Sequence, residues 1–226
     1  MRTTSIRPTR PALIRVAALL AVLAIATTAE AGPPLICRQF DAGAAKLLPW
    51  NEAAARTNWN SPDQAYDVKN LPRDLGALLS PDAPILARME NMRRAVIYAS
   101  RDESVAAELL RSVLARAQAD AGRGANPLAW FDAGYLVESL RQATHIYAFD
   151  MFSSGAEKAA WKLRDDSKAV DGYAMVKKAL KVGGENPGIE FAASLMRDGA
   201  SGDEHRRRAA AGAPAGSLLA KNLAAH

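Results

Sequence analysis

Hydrophobic positions along this 226-residue chain recur at three- and four-residue intervals, the spacing of one face of an α-helix. Residues 84–99 put Ile85, Met89, Met92 and Val96 on one face and pair Glu90 with Arg94 at i,i+4 on the other. The two methionines read as core filling. Asp102 is placed to cap a helix through Ala121, with Val105, Leu109, Val113 and Ala117 as its buried stripe and Leu110 and Leu114 beside it. Gly122 and Gly124 end it. Asn126-Pro127 opens the next helix as N-cap and first residue. Its apolar arc (Trp130, Phe131, Ala133, Leu136, Val137, Leu140, Ile146) is wide enough to predict a central helix packed on two sides.

Further on the pattern loosens. Asp150 to Asp166 is less regular, with a break at Phe152-Ser153-Ser154-Gly155 before Ala160, Trp161 and Leu163 resume a helix. Residues 169–182 form another, closed by Gly183-Gly184, and Asn186-Pro187 opens one that runs to about Arg197. Residues 199–226 mix Gly, Ala, Pro and Arg, which predicts a mobile tail with a short helix at 218–223. Upstream, residues 32–82 are punctuated by Pro33, Pro34, Pro49, Pro62, Pro72 and Pro81, so only short helices fit. Asp41 caps one through Leu48, and Ser61-Pro62 and Pro72 start others. Trp50, Trp59 and Tyr66 read as anchors packing this segment on the body at 83–198, with a ligand-stacking binding face as the alternative. No stretch of four or more residues alternates apolar and polar between turn signals, so no strand is predicted. The expected class is all-α: antiparallel helical hairpins packed as a bundle or a short repeat-like array, behind an irregular Pro- and Trp-containing N-terminal segment.

The first 31 residues carry a different signal. Arg2, Arg7, Arg10 and Arg15 precede an apolar run from Val16 to Ala26, and Ala29-Glu30-Ala31 supplies a small-x-small cleavage site. That order is a secretory signal peptide, cut before Gly32. A spanning helix needs roughly 20 apolar residues, more than Arg15 and Thr27-Thr28 leave between them. The expectation is export to the periplasm or the exterior, with no stable membrane span after cleavage.

Removing this segment changes the charge. Of the formal net charge of +5, the signal accounts for +3, and the tail that carries Arg206-Arg207-Arg208 for the remaining +2. Basic and acidic side chains cancel over residues 32–198. Nucleic-acid binding depends on a concentrated basic surface, and this chain offers none, so no nucleic-acid partner is expected.

One internal echo bears on architecture. Gly124-Ala-Asn126-Pro127 and Gly184-Glu-Asn186-Pro187 each end one helix and start another, with Phe131 and Phe191 in matching places. Recurring helix–turn–helix units are what stacked hairpins produce. Trp130-x-x-Ala133-Gly134 resembles the first-helix signature of tetratricopeptide repeats, in which a Trp, a small residue and a Gly let two helices approach. The resemblance covers about half of one repeat. Val137 stands at the family's usual Tyr position. What it implies is hairpin packing, with no residue roles attached.

Chemical signatures are sparse. The three histidines, His145, His205 and His226, lie far apart in sequence, and neither H-E-x-x-H nor Glu-x-x-His occurs. Gln142-x-x-His145 comes nearest, and His145 reads as a hydrogen-bonded helix residue. Haem-attachment and phosphate-loop motifs are absent, so no cofactor or metal is implied. There is no G-x-S-x-G elbow. Glu138-Ser139 resembles the acid–serine pair of lytic transglycosylases, without the glycine-rich segment that follows it there. No catalytic residue is assigned. Cys37, unpaired in an oxidising compartment, is the one chemical oddity. Leu35, Ile36 and Phe40 around it favour burial as a small apolar residue, with a thiol-mediated contact to another chain as the alternative. The function expected from these features is an exported helical interaction or scaffold protein contacting a protein or peptide of the cell envelope. The alternatives are a small-ligand or lipid-binding helical protein and an enzyme of unrecognised type.

Overall fold

A computed structural model describes residues 34–119, 126–148 and 169–226, without the side chains of 144–148. The signal segment, the helix end at Gly122–Gly124, the break between Asp150 and Asp166 and the His145 side chain lie outside the described residues. The described chain is helical, with no strand in it. Two short helices, α1 (Pro34–Cys37) and α2 (Glu52–Ala55), interrupt an extended N-terminal segment, and a 3-10 turn at Val68–Asn70 leads into α3 (Leu71–Leu78). The body follows as α4 (Ile85–Ala99), α5 (Glu103–Ala119), α6 (Pro127–Ala148) and α7 (Gly172–Gly183). It is completed by α8 (Pro187–Ser194), α9 (Gly199–Ala211) and α10 (Leu218–Ala225). Among the described residues no helix is long and apolar enough to cross a membrane.

The wide apolar arc of α6 places it at the centre, against α1, α4, α5 and α7. Phe131, Tyr135, Leu136, Val137 and Leu140 are all fully buried there. Asn126 and Asn186 cap their helices alike, each side-chain oxygen accepting the backbone N–H groups two and three residues on. Each helix so started opens an antiparallel hairpin. In α6–α7, Pro127 meets Gly183 and Gly134 meets Gly172; in α8–α9, Pro187 meets Gly212. A Cβ on Gly134 would lie 2.4 Å from the Gly172 carbonyl oxygen, and one on Gly172 would lie 2.6 Å from that of Gly134. Only hydrogen fits between the two backbones.

Three expectations are corrected: the helix from Asp41, the helix from Ser61 and the mobile tail. The polar face of α4 is buried, with Arg88, Glu90, Asn91, Arg93 and Arg94 all inside. Residues 35–61 run across it, and its side chains bond their backbone. Glu90 accepts the Phe40 N–H at 3.0 Å, Asn91 accepts that of Leu48 at 2.8 Å, and Arg94 donates to the Leu48 carbonyl at 2.8 Å. Arg93 donates to the carbonyls of Ile36 and Trp59, and Tyr98 to that of Pro49.

The same bonds explain why Asp41–Leu48 is extended rather than helical. Side chains of α4 supply the partners that a helix would have provided. Nor does Ser61 cap a helix; its hydroxyl donates to the Asn58 carbonyl, and Asp67 caps the 3-10 turn instead. Residues 199–226, expected as a mobile tail with a short helix at 218–223, form α9 as well as that helix, α10, and both are anchored. Their anchors are polar and aromatic. Asn222 exchanges two hydrogen bonds with the Asp41 backbone, both at 2.9 Å, and the His226 ring stacks on Phe40 with centroids 4.6 Å apart.

Candidate functional site

The first turns of α7 and α8 and the middle of α9 converge on one hydrogen-bonded chain. Asp171 caps α7 by accepting the Ala174 N–H at 2.9 Å, which sets Tyr173 in the opening turn. Asn186 and Pro187 start α8 and place Glu190 in its first turn. The antiparallel return of α9 brings His205 opposite both. Tyr173 Oη lies 2.8 Å from His205 Nε2 and 3.0 Å from Ser201 Oγ, while His205 Nδ1 is hydrogen-bonded to Glu190 Oε2. Tyr173, Glu190 and His205 are buried, and Ser201 is exposed.

The carboxylate on Nδ1 fixes that nitrogen as the protonated one. With a neutral ring, Nε2 accepts the Tyr173 hydroxyl. With a charged ring, Nε2 donates to Tyr173 Oη, and the phenol turns to donate to Ser201. In either arrangement the imidazole and the phenol keep their hydrogen bonds. Positive side chains surround the hydrogen-bonded chain: the Arg197 guanidinium stands 4.4 Å and the Lys177 ammonium 4.8 Å from the Tyr173 ring centroid.

Two clefts flank Glu190. One of about 500 Å³ is walled by Glu185, Asn186, Pro187, Glu190, Arg208 and Ala211. The other, about 350 Å³, lies over Lys177, Ser201, Glu204 and His205. Glu190 Oε1 faces Arg208 Nη1 at 3.7 Å, and the same guanidinium reaches Glu204 at 2.9 Å. The larger cleft thus holds a carboxylate and a guanidinium side by side, at a size typical of small-ligand sites.

The residues expected from the sequence lie elsewhere. Cys37 ends α1, half-buried, on an open cleft with Arg38, Trp59 and His226. Burial pushes its thiol up, against the opposing charges of Arg93 and Arg38. Trp50, Trp59 and Tyr66 share no exposed binding face. Trp50 is 8% exposed, edge-on to Tyr98 at 5.8 Å, with the Arg93 and Arg94 guanidinium carbons 5.0 and 5.3 Å from its centroid. Tyr66 tilts against Tyr98 from another side and donates to Asp74 at 3.0 Å. Trp59 is partly buried against the core. The three act as anchors for the extended segment. Gln142 is likewise structural, accepting the Leu35 N–H and donating to the Leu195 carbonyl. Glu138 accepts the Tyr173 N–H at 3.1 Å and pairs with Arg141, and the Ser139 hydroxyl is buried.

Sequence reasoning missed Tyr173, Glu190, Ser201, His205 and Arg208. One signal was present: Ser201 and His205 stand four apart, on one face of any helix covering them. Among the described residues no group of three His, Cys, Asp or Glu side chains is placed to hold a metal ion. Ser201 meets the phenol of Tyr173 rather than the imidazole, so it lacks the direct base of an acyl-transfer nucleophile. Compared with family models, with curated proteins and with solved structures, the chain matches none.

Proposed function

We propose that this chain is an exported helical binding protein whose contact site is the polar cleft between α8 and α9, and that its ligand is a small polar molecule. The cleft carries this reading: about 500 Å³, with Glu190 and Arg208 on its wall and a buried hydrogen-bonded chain behind it. Such a site suits a ligand with charged groups better than a lipid. Export rests on the arginines, apolar run and Ala29-Glu30-Ala31 site of the first 31 residues.

The scaffold reading draws on the two hairpins and on the tetratricopeptide-like Trp130-x-x-Ala133-Gly134. Helix-in-groove docking of an envelope protein or peptide uses apolar surface. Among the described residues the large hydrophobics classed as exposed are Val182 and Leu218. The small-ligand reading is therefore preferred.

Two experiments test the proposal. Thermal-shift measurements across amino acids, short peptides, sugars and nucleotides should find at least one class that raises Tm, and Arg208→Ala should remove the rise. A flat panel, or a rise indifferent to Arg208→Ala, overturns the cleft as the site. For export, residues 1–40 fused to a reporter enzyme that folds only under oxidising conditions should give active reporter; an inactive fusion refutes it.

A further inference from the structure

We infer that the α8–α9 cleft takes the zwitterionic head of an α-amino acid, its ammonium on Glu190 Oε1 and its carboxylate on the Arg208 guanidinium. This rests on the binding reading above and names its ligand.

The two carboxylate oxygens of Glu190 are unequally used. The residue is 7% exposed, and His205 occupies Oε2. Among the described residues the nearest cation to Oε1 is Arg208 Nη1 at 3.7 Å, beyond hydrogen-bond range. Glu190 lines both clefts, and an ammonium entering the larger one would give Oε1 a charge-assisted donor at hydrogen-bond distance.

The neighbours then choose among ligands. A simple anion would meet Arg208 but face Glu185 and Glu190 on the same wall. A simple cation would meet Glu190 and Glu185 but face Arg208, 3.7 Å from Oε1. A zwitterion satisfies both. In an α-amino acid the ammonium nitrogen and a carboxylate oxygen lie about 3 Å apart, since both groups sit on one carbon. That span bridges an oxygen and a nitrogen 3.7 Å apart with a charge-assisted bond at each end. Pro187, Ala211 and Gly212 leave an uncharged wall for the ligand's side chain.

The test is an amide NMR titration of the purified protein with L-alanine, N-acetyl-L-alanine, L-alaninamide and alanyl-alanine. L-Alanine should shift residues 186–190 and 208–212 saturably. Removing the ammonium or the carboxylate should each weaken binding about tenfold or more. The dipeptide, whose charged ends lie further apart, should also bind more weakly. Arg208→Ala should cost alanine as much as amidation does, and alaninamide should then lose nothing further. Because Arg208 is exposed, this variant keeps the test open even if Glu190→Gln disturbs the fold through His205. Silence with L-alanine, equal binding of the acetylated form, or tighter binding of the dipeptide overturns the inference. If L-alanine is silent while another polar ligand raises Tm through Arg208, the binding reading stands and this inference alone falls.

Discussion

One nitrogen of the Arg88 guanidinium, Nη1, donates to both carboxylate oxygens of Asp132, at 2.9 and 2.7 Å, and ties α4 to α6 with both side chains almost wholly buried. The remaining guanidinium nitrogens close on the backbone carbonyls of Ser80 and Ala83. Every charged atom of the pair therefore has a partner, which a buried ion pair requires if it is not to cost stability. Burial nonetheless pushes the Asp132 carboxyl up to about 6, against the pull of Arg88 and, further off, Arg116.

That direction sets a pH dependence. A carboxyl that holds its proton more firmly folded than unfolded favours the folded state below its unfolded value of 3.8, and the benefit is lost as pH rises through about 6. Asp132→Asn is fixed in the uncharged form and lacks this dependence. The wild type should then lose stability relative to the variant between about pH 4 and about pH 7, by roughly 3 kcal/mol. Urea melts of both proteins across that range measure the gap. A gap that does not change with pH refutes the assignment.

Glu90 works in the opposite sense. Burial alone would raise its carboxyl, but Arg93 and Arg94, bonded to it at 2.8 Å, hold it below the ordinary value. Its stabilising contribution is present above about pH 4.5 and is lost as pH falls through the lowered folded value. Glu90→Gln takes the carboxylate from buried Arg93 and leaves Arg94 to Glu52, and should cost about 3–5 kcal/mol at neutral pH. The same change weakens the bond to the Phe40 N–H, so exchange of that amide should quicken more than exchange within α6. An unchanged urea midpoint would show that the arginines find other partners.

These polar contacts also mark where the amino-acid pattern stops being legible. The stripes of α5 and α6 are written in apolar spacing, and their centres stand where the spacing puts them: Val105, Leu109 and Val113 buried in one, Phe131, Leu136 and Leu140 in the other. The same spacing misleads on α4. A charge pair at i,i+4 looks alike whether its far side meets water or the backbone of Phe40–Leu48, because the partner carries no side-chain signature. Spacing showed the short helix of α10 but neither α9 nor what anchors the two, which are held by His205, Asn222 and His226 through hydrogen bonds and ring stacking. The candidate site falls in that second group. Tyr173, Glu190 and His205 meet only after three helices have packed, and each is unremarked in its own local sequence. The Asn186-Pro187 helix start was readable; the residue facing Glu190 across the hairpin was not.

Cys37 gives a third prediction. Its thiol is half-buried and pushed up by that burial, with Arg93 and Arg38 opposing. Alkylation proceeds through the thiolate, so iodoacetamide at neutral pH should label the folded protein at least about tenfold more slowly than the urea-unfolded chain. Equal rates would reassign Cys37 as an accessible, reactive thiol and revive the thiol-mediated contact.

The two hairpin glycines can be told apart from an ordinary helical glycine by one pair of substitutions. Gly76, inside α3, has nothing within 4 Å of where a Cβ would stand, so Gly76→Ala should gain helix propensity alone and stabilise by about 0.5–1 kcal/mol. Gly134→Ala receives the same local gain but sets its methyl 2.4 Å from the Gly172 carbonyl oxygen and 2.8 Å from a Val176 methyl. The carbonyl belongs to backbone and has no rotamer by which to move away. The α6–α7 hairpin must therefore spread, loosening the contact that places Tyr173 against Glu138 and His205. Overpacking of this kind costs about 1–3 kcal/mol beyond the propensity gain. Urea midpoints should accordingly move in opposite directions for the two variants. If Gly134→Ala also stabilises, the close approach of the two helices is not a requirement of the fold, and the glycine in Trp130-x-x-Ala133-Gly134 has no packing role.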